Sequence, residues 1–185
     1  MKNKCYAITE IAGCGVIGVA AILLRYLFRW FGPGALTIVF GSVNGSVWEE
    51  IKVFSGAYIG YGLFELLWIR VGFRRYVAAK CAGLYGLMGG IIAFHYIAVW
   101  LFPAAAQKAE PIAAIILTSL AQLLASKLVL SDLMPEDYFA PAVFLLMLYY
   151  LMFFSFTIFP PKVSLFRDPV SGGYGLIERI AEKEP

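Results

Sequence analysis

Charged side chains are scarce in this chain of 185 residues, where Asp, Glu, Lys and Arg together make up 15% of the sequence. Soluble domains carry about 25% charged and roughly 45–50% apolar residues, whereas 61% of this chain is hydrophobic. This shortage of charge excludes an ordinary soluble fold. The net charge of +3 is also too small to indicate a nucleic-acid-binding surface, so no nucleic-acid partner is expected.

Metal-binding and disulfide-forming residues are also few, because histidine occurs once and cysteine three times. Cys5, Cys14 and Cys81 have neither metal-ligand nor redox spacing, and an odd number of cysteines cannot pair completely. We interpret them as small packing residues inside helices. A lone His95 cannot form a metal site by itself. We therefore predict neither a metal nor a cofactor.

Long apolar runs predict an all-α integral membrane protein with about five transmembrane helices. A helix needs about 20 mainly apolar residues to cross a ~30 Å hydrocarbon core. Two runs meet this requirement without an internal charge, and three more each contain one, at Glu10, Glu65 or Lys127. Glu10, together with the lack of a small-x-small site before Arg25, argues against a cleaved signal peptide in the first run. The predicted spans are 6–24, 51–69, 81–102, 111–130 and 138–160.

These spans define a helical bundle over residues 1–160 and a carboxyl-terminal tail over 161–185 that packs on it. With five spans, the connection before the second helix, a 103–110 loop and the tail all lie on one membrane face. The basic loop at 70–80 favours a cytoplasmic amino terminus, because positive charge concentrates in short cytoplasmic loops. We expect a multi-pass protein of the cell membrane.

Glycine pairs mark helix faces suited to close contact. Gly56 and Gly60 are separated by four positions, as are Gly86 and Gly90, and this small-xxx-small spacing lets membrane helices approach closely. Because glycine is also common in such helices, the spacing marks contact faces and no particular oligomer; a homodimer through the glycine-lined surfaces is one arrangement that it allows.

One polar stretch, FGSVNGSVWEEIK at residues 40–52, interrupts the apolar sequence. Ser46 and Glu49 have capping-box spacing, in which the serine hydroxyl accepts from the Glu49 amide and the Glu49 carboxylate accepts from the Ser46 amide. Lys52 lies one turn after Glu49, where the two can form an ion pair. The stretch therefore predicts the start of a helix, with Trp48 in the aromatic belt at the membrane surface.

The same stretch also has features of a ligand site. Residues 31–43 before it are too apolar for a free loop and too short to span. Non-helical backbone at membrane depth is buried in protein or lines a wet cavity. A half-buried connection here brings Ser42, Asn44 and Glu49 against the helix ends. The residues alone leave both interpretations open, a structural cap and a ligand site.

The carboxyl-terminal tail is predicted to pack as a lid on the same face. Pro160 and Pro161 end the last helix, and a turn follows at Asp168. Apolar residues between them suit a segment that folds back onto the bundle beside Asn44 and Glu49. These apolar tail residues are Val163, Leu165, Phe166 and Tyr174.

Two motifs, VNxSVWExxK and PPxxxLFxDPxxGxYG, resemble those of a family of small bacterial multi-pass membrane proteins of unassigned function. The resemblance covers most of the chain and implies the same architecture, but brings no known activity. The chain departs from the family at Gly45 and Glu50, where members have Glu and His, which weakens any metal or acid–base chemistry there. The matching residues are Val43, Asn44, Ser46, Val47, Trp48, Glu49, Lys52, Pro160, Pro161, Phe166, Asp168, Pro169, Tyr174 and Gly175.

Ionisable residues inside predicted spans are costly and indicate function by default. His95 lies seven residues before Phe102, so ~10 Å into the bilayer, toward the face of the polar stretch. It is either functional or a neutral imidazole bonded to a carbonyl or tyrosine. Glu10 and Glu65 lie nearer the opposite face. There we expect ion pairs with Arg70, Arg74 or Lys80, although acids and His95 along one cavity would instead suit a proton-coupled pathway.

The favoured function is binding or transport of a small solute or ion through a polar pocket at one membrane face. One alternative is a membrane-embedded enzyme acting on a lipid or isoprenoid, with Glu49 or Asp168 as general acid–base, and another is a non-catalytic scaffold or subunit. An enzyme is less favoured, because the sequence has no nucleophile–base pair and no clustered aspartates for magnesium. The predicted ligand-binding residues are Asn44, Ser46, Glu49, His95 and Asp168.

Overall fold

The structure is a computed structural model that describes residues 2–67, 72–131 and 134–176, with side chains described from Ile8 onward. These residues form six α-helices and two 3₁₀ turns, Glu136–Tyr138 and Ser164–Phe166. Predictions for Cys5, for Arg70, for the end of span 51–69 and for tail residues 177–185 lie outside the described residues. The helices are α1 (Lys2–Phe31), α2 (Ala35–Phe40), α3 (Val47–Leu66), α4 (Phe73–Leu101), α5 (Pro103–Leu130) and α6 (Phe139–Ile158).

Four segments are long and apolar enough to cross a membrane, and each overlaps one of the five predicted spans. The chain therefore has the make-up of a multi-pass membrane protein. The first three segments are longer than the predicted spans, since an apolar run locates the bilayer core and not the helix ends, whereas the fourth has the predicted length of 23 residues. The four segments are Ile8–Phe31, Phe73–Leu101, Pro103–Leu130 and Glu136–Ile158.

Helix α3 corresponds to the remaining predicted span and lies at the centre of the bundle, where it packs against α1, α4 and α5. Its 20 residues would extend about 30 Å at 1.5 Å per residue. It carries four charged residues, more than any of the four segments above: Glu49, Glu50, Lys52 and Glu65, all with buried side chains. Surrounding helices thus shield these charges, while α1 and α6 turn large apolar side chains outward.

Helices α4 and α5 form a hairpin with almost no loop. The predicted 103–110 loop is wrong, because α5 begins at Pro103, directly after the α4 cap residue Phe102. Proline is favoured at the first position of a helix, where its missing N–H has no partner to lose. In such a tight hairpin, residues equally far from the turn face each other. His95 and Glu110 are such a pair, and they come into contact.

The connection between α1 and α3 contains a short helix instead of an open loop. Gly32 ends α1 with a φ of 73°, a left-handed conformation that glycine adopts without a steric penalty. Helix α2 follows and contacts α1, α3 and α6. Thr37 and Val43 in this connection are buried, whereas Leu36 is 71% exposed. One side of the connection therefore packs on protein, while the other faces outward.

The tail folds back over the ends of α3 and α6. Leu165 and Phe166 are buried in the main core of the bundle. A turn follows, in which the Asp168 amide donates to the Gly173 carbonyl at 3.0 Å and the Gly172 amide donates to the Asp168 carbonyl at 2.8 Å. Gly172 has a φ of 77°, which explains the need for glycine at this tight position.

One glycine of each pair lies close to another helix, and the other glycine has open space. A Cβ atom added at Gly56 would meet Leu24 at 3.9 Å, and one at Gly90 would meet Leu117 at 3.2 Å. A Cβ atom at Gly60 or Gly86 would meet nothing within 4 Å. The predicted homodimer through these faces stays a prediction.

The fold predicts which loops share a membrane face. In a background whose native cysteines are replaced by alanine, cysteines at Ser42 and at Val170 should react with a membrane-impermeant maleimide from the same side, because both lie at the tail end of the bundle. A cysteine at Arg74, before the α4 hairpin, should react from the other side. Labelling of the first two positions from opposite sides would contradict this arrangement.

Candidate functional site

Helix α3 begins with a cap that differs in part from the predicted one. The Glu49 amide donates to the Ser46 hydroxyl at 3.4 Å, so the predicted N-cap is confirmed. The reciprocal bond was predicted from the Ser46 amide to the Glu49 carboxylate, but this amide donates to Asn44 Oδ1 at 2.9 Å. Asn44 thus replaces Glu49 in the cap, and the Glu49 carboxylate is available for other partners.

Glu49 lies in a buried polar network that joins three parts of the chain. Its carboxylate forms an ion pair with Lys52 at 2.6 Å, as predicted from their spacing. The same carboxylate accepts from the Val43 amide at 2.9 Å and from the Thr157 hydroxyl at 3.1 Å. The Lys52 ammonium donates to the Ile38 carbonyl at 3.0 Å. Both charges are thus fully hydrogen-bonded within the protein, as buried charges require.

Trp48 packs inside the protein, so the prediction of a surface-belt position is wrong. Its ring stacks on Phe153 with centroids 4.3 Å apart and contacts Phe166 of the tail at 4.8 Å. Phe156 completes the cluster at 5.5 Å. Trp48 therefore contacts aromatic rings of the protein, one of them from the tail. The sequence pattern alone places it among lipid headgroups.

A polar pocket of about 390 Å³ lies between the α4–α5 hairpin and the tail. On the hairpin side, His95 Nδ1 is 2.7 Å from Glu110 Oε1, and only about a tenth of each side chain is exposed. An ionised carboxylate only accepts hydrogen bonds, so in this contact the Nδ1–H of the imidazole is the donor. The lining residues are Gly45, Val47, His95, Val99, Pro103, Ala106, Gln107, Glu110, Ser164, Arg167, Asp168, Pro169 and Gly172.

The tail forms the opposite wall of this pocket. Asp168 is buried, and its carboxylate accepts from the Val170 amide at 3.0 Å and from the Ser171 hydroxyl at 3.1 Å. Arg167 is exposed and donates from Nε to the Gly172 carbonyl at 3.4 Å. A Cβ atom at Gly45 would lie 3.0 Å from Asp168 Oδ1. The tail therefore closes directly on the start of α3.

Of the predicted site residues, His95 and Asp168 line the pocket. Asn44 and Ser46 flank the lining residue Gly45 but are themselves buried in the α3 cap. Glu49 belongs to the neighbouring network and does not line the pocket. Two charged lining residues were not predicted, Glu110 and Arg167. Glu110 could have been found from its symmetry with His95 about the Phe102–Pro103 turn.

A second polar network lies toward the other end of the bundle, as predicted for Glu10 and Glu65. Lys80 forms an ion pair with Glu65 at 2.5 Å and lies 3.8 Å from Glu10. Gln122 donates to Glu10 at 2.5 Å and accepts from Lys80 at 2.9 Å. The predicted neutralisation by Lys80 is confirmed. Because this network is distant from His95 along α4, the two ends hold separate polar groups.

An apolar groove of about 270 Å³ lies between α2, α3 and α6, with Lys52 and Thr157 among its lining residues. Gly56 and Gly60 form part of its floor. Among the described residues, no group of three or more His, Cys, Asp or Glu side chains is placed to hold a metal ion.

Comparison of the chain with models of protein families, with curated proteins and with solved structures gives no match. The interpretation of the pocket therefore depends on its own residues.

The network around Glu49 predicts a large effect of removing its charge. Glu49→Gln should leave Lys52 as a buried, unpaired cation and lower the free energy of unfolding by about 3–5 kcal/mol. Glu49→Gln combined with Lys52→Met should recover part of that loss, because the unpaired charge is gone. Denaturant unfolding in detergent micelles measures both.

Glu50→Gln is the matched control, because its partner Arg25 is 36% exposed and can be solvated. It should cost less than Glu49→Gln. If Glu49→Gln costs only the ~0.5–2 kcal/mol typical of a lost helix cap, the carboxylate acts as a cap and not as the partner of a buried charge.

Proposed function

We propose that this chain is a multi-pass protein of the cell membrane that binds or transports a small solute or ion through the pocket between the α4–α5 hairpin and the tail. The observation that carries the proposal is the pairing of His95 with Glu110 in the wall of a pocket that also contains Arg167 and Asp168. Ligand sites of 300–1,000 Å³ typically combine apolar walls with a few placed polar groups.

The proposed topology has five spans, with α3 as the second. Support comes from its length and from its central position, where its charges face protein and not lipid. The basic loop around Arg74 favours a cytoplasmic amino terminus. On this topology the pocket opens on the non-cytoplasmic face. The resemblance to small bacterial multi-pass membrane proteins is consistent with this arrangement and adds no activity.

The polarity of the pocket supports a solute ligand over a purely structural role. His95 and Glu110 each lie seven residues from the Phe102–Pro103 turn, about 10 Å along the helix, and they contact each other in the pocket wall. Charged groups that serve only stability are usually satisfied within the protein, as Glu49 and Lys52 are. The hairpin pair instead forms part of a cavity wall.

A second candidate is action on, or binding of, a lipid, and it is favoured by the groove between α2, α3 and α6. Its lining is apolar apart from a few groups that include Lys52 and Thr157. An acyl or isoprenoid chain fits such a groove with its polar end near these two residues. The lysine is already paired with Glu49, and this makes the groove the weaker candidate for chemistry.

If the pocket binds a solute, that solute should stabilise the folded protein. The stabilisation should be lost when a larger side chain fills the pocket. A panel of small anions, amines, zwitterions and uncharged polar solutes should contain at least one that raises the melting temperature of the full chain in lipid nanodiscs. A ligand at 100 times its Kd stabilises by about 2.7 kcal/mol. Gly45→Leu should abolish the effect, because Gly45 lines the pocket.

Gly15→Leu adds the same side chain where a new Cβ atom meets nothing within 4 Å, and it should leave the stabilisation intact. Equal stabilisation of the Gly45→Leu variant by every active solute would place binding elsewhere. If no member of the panel stabilises the protein, the result contradicts solute binding in this pocket.

A further inference from the structure

The pocket presents two charged groups of opposite sign on facing walls. Glu110 uses Oε1 for the bond with His95, and no described residue donates a hydrogen bond to its Oε2. Arg167 uses Nε for the Gly172 carbonyl, and its two terminal nitrogens have no acceptor among the described residues. Glu110 belongs to α5 and Arg167 to the tail, and both line the same cavity.

Two other carboxylates near the pocket have partners of their own. Asp168 accepts two hydrogen bonds from its own turn, from the Val170 amide and the Ser171 hydroxyl. Its carboxylate is therefore held by the tail. Glu50, which lies near enough to Glu110 to interact with it electrostatically, is paired with Arg25 at 3.1 Å. One carboxylate oxygen of Glu110 and the terminal nitrogens of Arg167 thus have no partner among the described residues, and both residues line the cavity.

His95 holds the acidic wall in place. It is only 8% exposed, and its contact with Glu110 at 2.7 Å joins α4 to α5. The ring also meets Tyr96 edge-on, with centroids 5.2 Å apart. A carboxylate fixed through one oxygen presents the other in a defined direction. Such preorganisation reduces the entropy cost of binding.

We propose that this pocket binds a small zwitterion, with the ligand's carboxylate on the guanidinium of Arg167 and its ammonium on Oε2 of Glu110; this refinement rests on the proposed function. A guanidinium matches a carboxylate with two parallel N–H donors. A ligand with only one charge would pair with either Arg167 or Glu110 and leave the other of these two groups without a partner. Two opposite charges on one ligand satisfy both walls at once.

The test uses the full chain in lipid nanodiscs and three zwitterions of increasing charge separation: glycine, β-alanine and γ-aminobutyrate. Each is compared by titration calorimetry with the carboxylate and the amine of the same chain length, such as butyrate and butylamine for γ-aminobutyrate. At least one zwitterion should bind about tenfold or more tightly than both of its single-charge analogues, because each analogue lacks a charge-assisted hydrogen bond.

Arg167→Gln and Glu110→Gln should each weaken binding of that zwitterion by about tenfold or more, since each removes one charged contact. Glu110→Gln keeps a polar group of similar size beside His95, so loss of binding without loss of fold identifies the charge as the cause. Lys162→Gln is the control, because Lys162 is an exposed cation of the same tail that does not line the pocket. It should bind like the unchanged chain.

Binding of butyrate or butylamine as tightly as γ-aminobutyrate, with no zwitterion preferred at the other lengths, would overturn the zwitterion assignment and leave solute binding intact. Full affinity in Glu110→Gln or in Arg167→Gln would overturn it as well. If no member of the wider panel stabilises the protein, the proposed function fails together with this refinement.

Discussion

The buried ion pair between Glu49 and Lys52 is the interaction on which the organisation of the tail face depends. Two charges in the interior of an apolar bundle are tolerated only when they are paired and hydrogen-bonded. Here the partners come from two other segments: the Val43 amide and Ile38 carbonyl from the connection, and the Thr157 hydroxyl from α6. Satisfying this pair therefore fixes the connection and the end of α6 against the start of α3.

The pocket follows from that arrangement. Once the start of α3 is fixed, Trp48 is positioned to stack on Phe153 of α6, and Phe166 of the tail completes the cluster. The residues after Phe166 then form a turn against Gly45, opposite the α4–α5 hairpin. The polar groups that we propose as a ligand site thus lie beside the polar groups that hold the fold, at the same end of α3.

Much of the architecture could be predicted because apolar run length and capping chemistry are local properties. Four predicted spans and the Ser46 cap needed nothing beyond neighbouring residues. The 103–110 segment was mistaken for a loop because its polar residues resemble one, although proline at a first helical position permits an immediate restart. Glu49 was assigned to the cap because its spacing fits, and the competition from Asn44 for the same amide is not visible in a spacing rule.

The site residues were harder to predict because their partners are distant in sequence. Thr157 and Glu49 are 108 positions apart in the sequence. Arg167 lines the same pocket as the hairpin residues only because the tail folds back. No periodicity relates such residues. His95 was visible as an ionisable group within a span, but its partner Glu110 became apparent only when the hairpin turn was known. The general location of the site was predictable, whereas its pairing was a consequence of packing.

Amide hydrogen exchange across residues 163–176 of the full chain in lipid nanodiscs tests most directly whether the tail is a folded wall of the pocket. The account predicts slow exchange at Asp168 and Gly172, whose amides donate within the turn, and at Phe166, whose ring lies in the core. Ser171 is exposed and its amide donates to no described residue, so it provides a faster-exchanging reference in the same turn. Exchange of the whole segment at the rate of an unstructured peptide would contradict the account, because the pocket would then have only one wall.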